Sequence, residues 1–351
     1  MSEVQLTPKD TEEKAATLAN GGKAEIALLV SDIDNTVVDF FGMWGATTEK
    51  AFDSLCKLHG MTREAMEKEV MECTPAESRM HNLPEMIAHM PSFAPKNEEE
   101  RKKFDKEHAK ICHEWQKGRD EVKLYAGVVQ TVRKAKESGA QFVLYTDAPR
   151  SSVLHRLAQY EMPAELVDAI YCQPDLDKDN KPVAMPVQGK TAEWVAAFEK
   201  AGGVFEVLPP GSHKPAPETL DKIRQDRGID SVKNVMMVGD NLKADCGGAN
   251  ALGAFSAWQK DGCSVPQEAI DLYYRIPTNP NYLLGVEKMS QNLSVPAYKP
   301  DVTLEKGWVE MHKHVQFISA EKANDKAREA AKQQGAQTVN MAMLKAKQMG
   351  R

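Results

Sequence analysis

Two carboxylates open the chemistry of this chain. Asp32 and Asp34 stand two residues apart, directly after the apolar run Ile26-Ala27-Leu28-Leu29-Val30-Ser31. If that run is a strand, both side chains point to the same side of it. Carboxylates this close repel each other unless a cation lies between or beside them, and the fitting ion is a hard, oxygen-seeking one such as Mg2+. On residue types alone the pair reads equally as two solvated loop acids. Further along, Thr146, Lys214 and Asp240 add a hydroxyl, an ammonium and a third carboxylate. Phosphoryl transfer uses such a set: a nucleophile, a proton donor, a metal, and positive charge around the phosphate oxygens.

The elements that would gather these residues are legible as apolar runs. The first run is short, with Asn35 beyond it where a turn fits. It predicts a buried central strand with Asp32 and Asp34 at its carboxyl end. Gln141 to Tyr145 and Val235 to Val238 predict two more buried strands, with Thr146 and Asp240 just past them. Lys214-Pro215 opens a predicted helix through Leu220 and Ile223. Open α/β sheets bind their ligands at the edge these residues share. Further strands are expected at Leu166–Cys172, Val204–Leu208 and Ala254–Trp258, and further helices at Val128–Ser138, ended by Gly139, and Thr191–Lys200.

From Trp44 to Asp120 the pattern is helical, with no strand. Thr47 or Thr48 caps a segment ended by Gly60, and Thr62 caps the next. Asn97 opens a strongly charged helix whose apolar side carries Phe104, Ile111 and Trp115. A short leader helix is expected from Thr11 to Leu18. Beyond Tyr298 the core pattern fades. Glu321 to Arg351, rich in Ala, Lys and Gln, reads as a solvated helix or a partly disordered tail, with a partner-binding helix as the alternative.

The 351 residues have room for a full core and about two domains. The net charge of −6 argues against a large nucleic-acid footprint. No apolar stretch approaches the roughly 20 residues that span a bilayer. The polar, acid-containing N-terminus lacks the signal-peptide pattern. The six cysteines are scattered without a C-x-x-C pair, so reduced thiols in a cytoplasmic protein are expected.

The order and spacing of the motifs resemble the haloacid dehalogenase-like superfamily of aspartate-nucleophile hydrolases. Its D-x-D-x-T motif appears as Asp32-Ile33-Asp34-Asn35-Thr36, with Asn35 where many members have Gly. Asn tolerates positive φ better than most residues, so the departure is mild. The strand-end Ser or Thr is matched by Thr146, the Lys by Lys214-Pro215, and G-D-x-x-x-x-D by Gly239 to Asp245.

The resemblance implies a doubly wound, Rossmann-like α/β core with a parallel sheet and an inserted helical cap. Residues 1–43 and 121–298 would form the core, 44–120 the cap, and 299–351 a C-terminal extension. It implies that Asp32 attacks phosphorus and that Asp34 protonates the leaving oxygen and then activates water. Asp32, Asp240 and the backbone carbonyl of Asp34 would hold Mg2+, with Asp245 as a further ligand or an orienting carboxylate. Thr146 would bind a phosphate oxygen, and Lys214 would offset charge on the phosphate and on Asp32. Family dehalogenases do not need an acid at the position of Asp34, so a phosphatase of a small phosphorylated substrate is expected. A phosphomutase or phosphotransferase, a dehalogenase and a non-catalytic scaffold are the alternatives. Arg79 and His81 are candidate cap-side contacts.

Overall fold

The computed structural model describes residues 22–74, 83–176, 181–277 and 293–333. The leader helix expected at Thr11–Leu18, the candidates Arg79 and His81, and the tail from residue 334 lie outside them. Among the described residues no helix is long and apolar enough to cross a membrane.

The first apolar run is not one strand. Ala24–Ile26 (β1) and Leu28–Ser31 (β2) are separated at Ala27, because β1 pairs with a strand from the far end of the chain. After β2 come the helices Phe40–His59 (α1), Arg63–Cys73 (α2), Leu83–His89 (α3) and Glu98–Asp120 (α4). Then follow Val128–Glu137 (α5), Gln141–Pro149 (β3), Arg150–Gln159 (α6) and Ala169–Gln173 (β4). Asp175–Leu176 (β5) and Pro182–Val183 (β6) form an antiparallel pair. Gly189–Lys200 (α7), Val204–Val207 (β7), Pro217–Asp226 (α8), Val235–Gly239 (β8), Gly247–Leu252 (α9), Phe255–Gln259 (β9) and Gln267–Arg275 (α10) continue the chain. Val302–Leu304 (β10), Val315–Phe317 (β11) and a helix over 320–333 (α11) end the described part.

Seven strands form one parallel sheet in the order β10-β9-β8-β2-β3-β4-β7. β2 is its centre. Its alternate residues enter two cores, as the period of two requires. Leu29 packs with Phe142, Met236 and side chains of α5, α6 and α7. Leu28 and Val30 pack on the other face with Val143, Met237 and side chains of α8 and α9. Helices on both faces make the doubly wound α/β architecture and explain why the strands read as continuous apolar runs.

Several local expectations are corrected. α1 begins at Phe40 and runs through Thr47 and Thr48, because Asp39 caps it by accepting from the Gly42 amide at 2.9 Å. Thr47 instead bonds back to the Met43 carbonyl at 2.9 Å. β3 continues past Thr146 to Pro149, with its pairing to β4 shifting between Tyr145 and Pro149. α8 starts at Pro217, leaving Lys214 in the loop before it. Thr62 and Asn97 do cap their helices, accepting from Ala65 and Glu100 amides.

Helices α1 to α4 form a separate apolar cluster around Trp44, Phe52, Met66, Ile111 and Trp115. α10, from the far side of the sheet sequence, joins that cluster through Leu272, Tyr273 and Ile276. Gly45 permits the approach: a Cβ there would stand 2.3 Å from the Ala269 methyl.

The chain beyond Tyr298 does not trail away. β10 adds the seventh strand beside β9, Trp308 is fully buried, and β11 pairs with β1. α11 is seated rather than solvated at its start: Ala323 is buried, and Asn324 bonds the Asp230 amide and the Gly228 carbonyl. The apolar residues of this segment come in ones and twos between polar and charged ones, so no long run announces them.

Candidate active site

Asp32 follows β2 directly, its amide bonded to the Val238 carbonyl of β8 at 2.9 Å. Lys214 reaches it from the loop before α8. The Lys214 ammonium is 2.7 Å from Asp32 Oδ1 and 2.7 Å from Asp245 Oδ1. Burial works against its charge, but Asp245, Asp32 and Asp147 outweigh burial and hold it protonated well above the ordinary lysine range. Asp147 also accepts from the Lys214 amide at 3.2 Å, a positioning contact that sequence reading passed over.

Asp32, Asp240 and Asp245 bring carboxylate oxygens within 4.8 Å of one another. Burial raises the Asp240 carboxyl well above its usual range, and the charges of Asp32 and Asp245 push the same way. Asp245 is raised too, by burial first and then by Asp32, against the pull of Lys214. Three crowded oxygen donors in a buried site suit a hard divalent cation, which would replace the missing positive charge. Gly239 makes the crowding possible, since a Cβ there would stand 2.0 Å from the Asp245 carboxylate. Thr36 ties the first loop to the fourth motif: its hydroxyl accepts from the Asp240 amide at 3.0 Å. Trp258 donates to the Asp240 carbonyl at 2.9 Å.

Asp34 faces elsewhere. Its carboxylate is outside that cluster and pairs with Arg156 of α6, whose Nη1 is 2.5 Å from both oxygens. Burial raises the Asp34 carboxyl, Arg156 opposes the rise, and Asp32 adds to it. Asn35 takes positive φ, 55°, and its side chain accepts from the Phe41 amide at 3.0 Å. The turn therefore splits the two carboxylates between different cations. Arg156 was not read from the sequence. Its signal was a basic residue on the same helical side as Val153 and Leu157, an apolar face.

Thr146 is buried on β3, beside β2, and its hydroxyl accepts from the Ala148 amide at 3.2 Å. The structure thus brings Asp32, Lys214, Asp240 and Asp245 into direct contact range, sets Asp34 beside them on its own partner, and places Thr146 on the neighbouring strand.

A family model for haloacid dehalogenase-like hydrolases matches residues 26–253. No curated protein matches the chain. Among solved structures, the chain is similar to a HAD phosphatase from Thermococcus onnurineus, with 14% identity, a TM-score of 0.41, and coverage of 84% of this chain and 100% of that one. A protein described as a β-phosphoglucomutase from Thermotoga maritima shares 13% identity at a TM-score of 0.41, covering 82% of this chain and 96% of that one. L-2-haloacid dehalogenase from Xanthobacter autotrophicus shares 14% identity at a TM-score of 0.38, over 82% and 96%. By its matched span and its seven-stranded doubly wound core, the chain belongs to the haloacid dehalogenase-like hydrolases.

Proposed function

We propose that the chain is a Mg2+-dependent phosphatase acting on a small phosphorylated substrate through Asp32. The observation that carries this reading is that two neighbouring carboxylates, a buried Asp32 and a partly exposed Asp34, are held by different cations. Asp32 shares Lys214 with the cluster, while Asp34 sits on Arg156 with a raised carboxyl. Environments that separate two carboxylates in this way separate a nucleophile from an acid.

In the first step an Asp32 oxygen attacks phosphorus and the ester P–O bond breaks. Asp34 gives its proton to the departing oxygen. In the second step Asp34 takes a proton from water as that water attacks phosphorus, and the bond to Asp32 breaks. Lys214 holds Asp32 in place and offsets charge on the phosphoryl oxygens, and Thr146 would offer its hydroxyl to one of them. Asp32, Asp240, Asp245 and the Asp34 carbonyl would hold Mg2+, which supplies positive charge to the phosphoryl oxygens when bound. The helices α1 to α4 would act as the cap over this site.

The test is phosphate release from a panel of small esters with Mg2+ and with EDTA. Activity abolished by EDTA and restored by Mg2+ is the expected result; halide release without Mg2+ would point to a dehalogenase instead. Asp34→Asn should slow alkyl phosphates by about 10²- to 10⁴-fold, the usual range for a lost acid–base group. The same variant should lose much less with p-nitrophenyl phosphate, whose leaving group needs no proton. Equal losses on both esters would remove Asp34 from the acid role.

Metal binding should be pH-dependent with a definite sign. Asp240 and Asp245 have raised folded-state values, so they keep protons to higher pH than free carboxylates. Their ionisation costs apo-protein stability as pH rises through those values, and Mg2+ needs the ionised forms. The increase in melting temperature on adding Mg2+ should therefore be larger at pH 8 than at pH 5. Differential scanning calorimetry in EDTA and in Mg2+ at both pH values measures it, and a gain independent of pH would contradict the assignment.

A further inference from the structure

Beside Asp34 lies a cavity of about 470 Å³ between the last turn of α4, α6, and the segment 186–191. That is the size of a small-metabolite site. Its wall is polar: Arg119 and Asp120 from α4, His155 and Arg156 from α6, and Gln188 and Thr191 from the third segment.

Two guanidiniums converge on this wall. Arg156 is almost fully buried, its Nη1 is on Asp34, and its Nη2 is buried with no hydrogen-bond partner. Arg119 lies over Trp115 at 4.4 Å, and both arginines lie over the Phe40 ring, at 6.0 and 4.6 Å. Burial, and then the charge of Arg156, lower Arg119 to about 10. Asp120 is already engaged, accepting from Gln116 at 2.8 Å and lying 3.2 Å from His155. A second arginine charge beside Arg156, together with an unmet buried N–H, is the arrangement an anion completes. Asp120 stands on the same wall, so a singly charged carboxylate meets less repulsion than a doubly charged phosphate.

We propose that this cavity receives the substrate's alcohol portion and that Arg119 and Arg156 bind a carboxylate on it, making the substrate a phosphate ester of a small hydroxy acid. The inference rests on the phosphatase reading for the reaction, but not for the binding. Because Arg156 touches both places, a substrate seated there has its ester oxygen within reach of Asp34.

The test uses a matched pair: 3-phosphoglycerate and glycerol 1-phosphate, in which hydroxymethyl replaces the carboxylate. With Mg2+, wild type should favour the carboxylate ester in kcat/KM by about tenfold or more, the range for a charge-assisted bond. Arg119→Met should erase most of that preference, through KM for the carboxylate ester, and Arg119→Lys should restore part of it. Calorimetry on Asp32→Asn, which binds without turnover, should show the same preference as a difference in Kd. Equal affinity for the two esters there, equal losses on both in Arg119→Met, or a preference for fructose 1,6-bisphosphate would overturn the subsite. A calorimetric preference without phosphate release by wild type would leave the subsite standing and remove the phosphatase reading.

Discussion

Replacing Asp32 by Asn should abolish turnover while leaving the protein folded. Asn has the shape of Asp and can still accept from Lys214 through its amide oxygen, and Lys214 keeps its 2.7 Å contact to Asp245. What it lacks is the charge and nucleophilicity of a carboxylate, so the attack on phosphorus has no donor. A loss of a thousandfold or more is expected, about the scale seen when a covalent nucleophile is removed. Melting near the wild-type temperature, measured in EDTA, should accompany it. Phosphate release within about tenfold of wild type would end the covalent mechanism, because acid–base and metal contributions alone do not supply the missing step. Weakened Mg2+ binding is also expected, since one of the three clustered carboxylates is gone.

Trp308→Ala should be the most destabilising change outside the site. Trp308 is fully buried, packs edge-on against Phe142 of β3, and donates to the Thr36 carbonyl at 2.8 Å. Truncating a buried aromatic typically costs about 3–5 kcal/mol, from lost transfer energy and the cavity left behind. The Thr36 carbonyl also loses its donor, which adds about 1 kcal/mol. Trp308→Phe keeps most of the packing and should cost less. Urea unfolding followed by circular dichroism gives both numbers. A Trp308→Ala cost below about 1 kcal/mol would mean that the segment after Tyr298 is dispensable to the core. The site should respond as well, because Thr36 holds the Asp240 amide.

What could be read in advance follows from how local the signal is. Asp32 and Asp240 were legible because each ends an apolar run buried on both faces, and the run and the carboxylate are adjacent letters. Lys214 was legible as a residue but not in its element, since Pro217 rather than Pro215 opens α8. Arg156 was hidden because its partner Asp34 is 122 positions away, and within its own helix it occupies an apolar-face position. Trp308 was hidden for the same reason, its partner Thr36 lying 272 positions away. The placing of α10 in the helical cluster depended on a glycine, Gly45, whose role exists only once Ala269 is against it. Contacts made by distant pairs leave no period in the sequence.

The pairing of β1 with β11, Ala24 against Val315, has a consequence for synthesis. The ribosome releases the D-x-D loop long before the tryptophan that braces it, 272 positions further on. A nascent chain that already displays Asp32, Thr146, Lys214 and Asp240 still lacks the sheet's edge strand β10 and the donor to Thr36. Long-range closure of this kind is slow compared with local helix formation. Competence should therefore arrive late, once the segment from β10 to β11 has emerged and closed on the sheet. Until then the partly built sheet exposes an open edge beside β9, where chaperone capture or strand-to-strand aggregation would compete with completion.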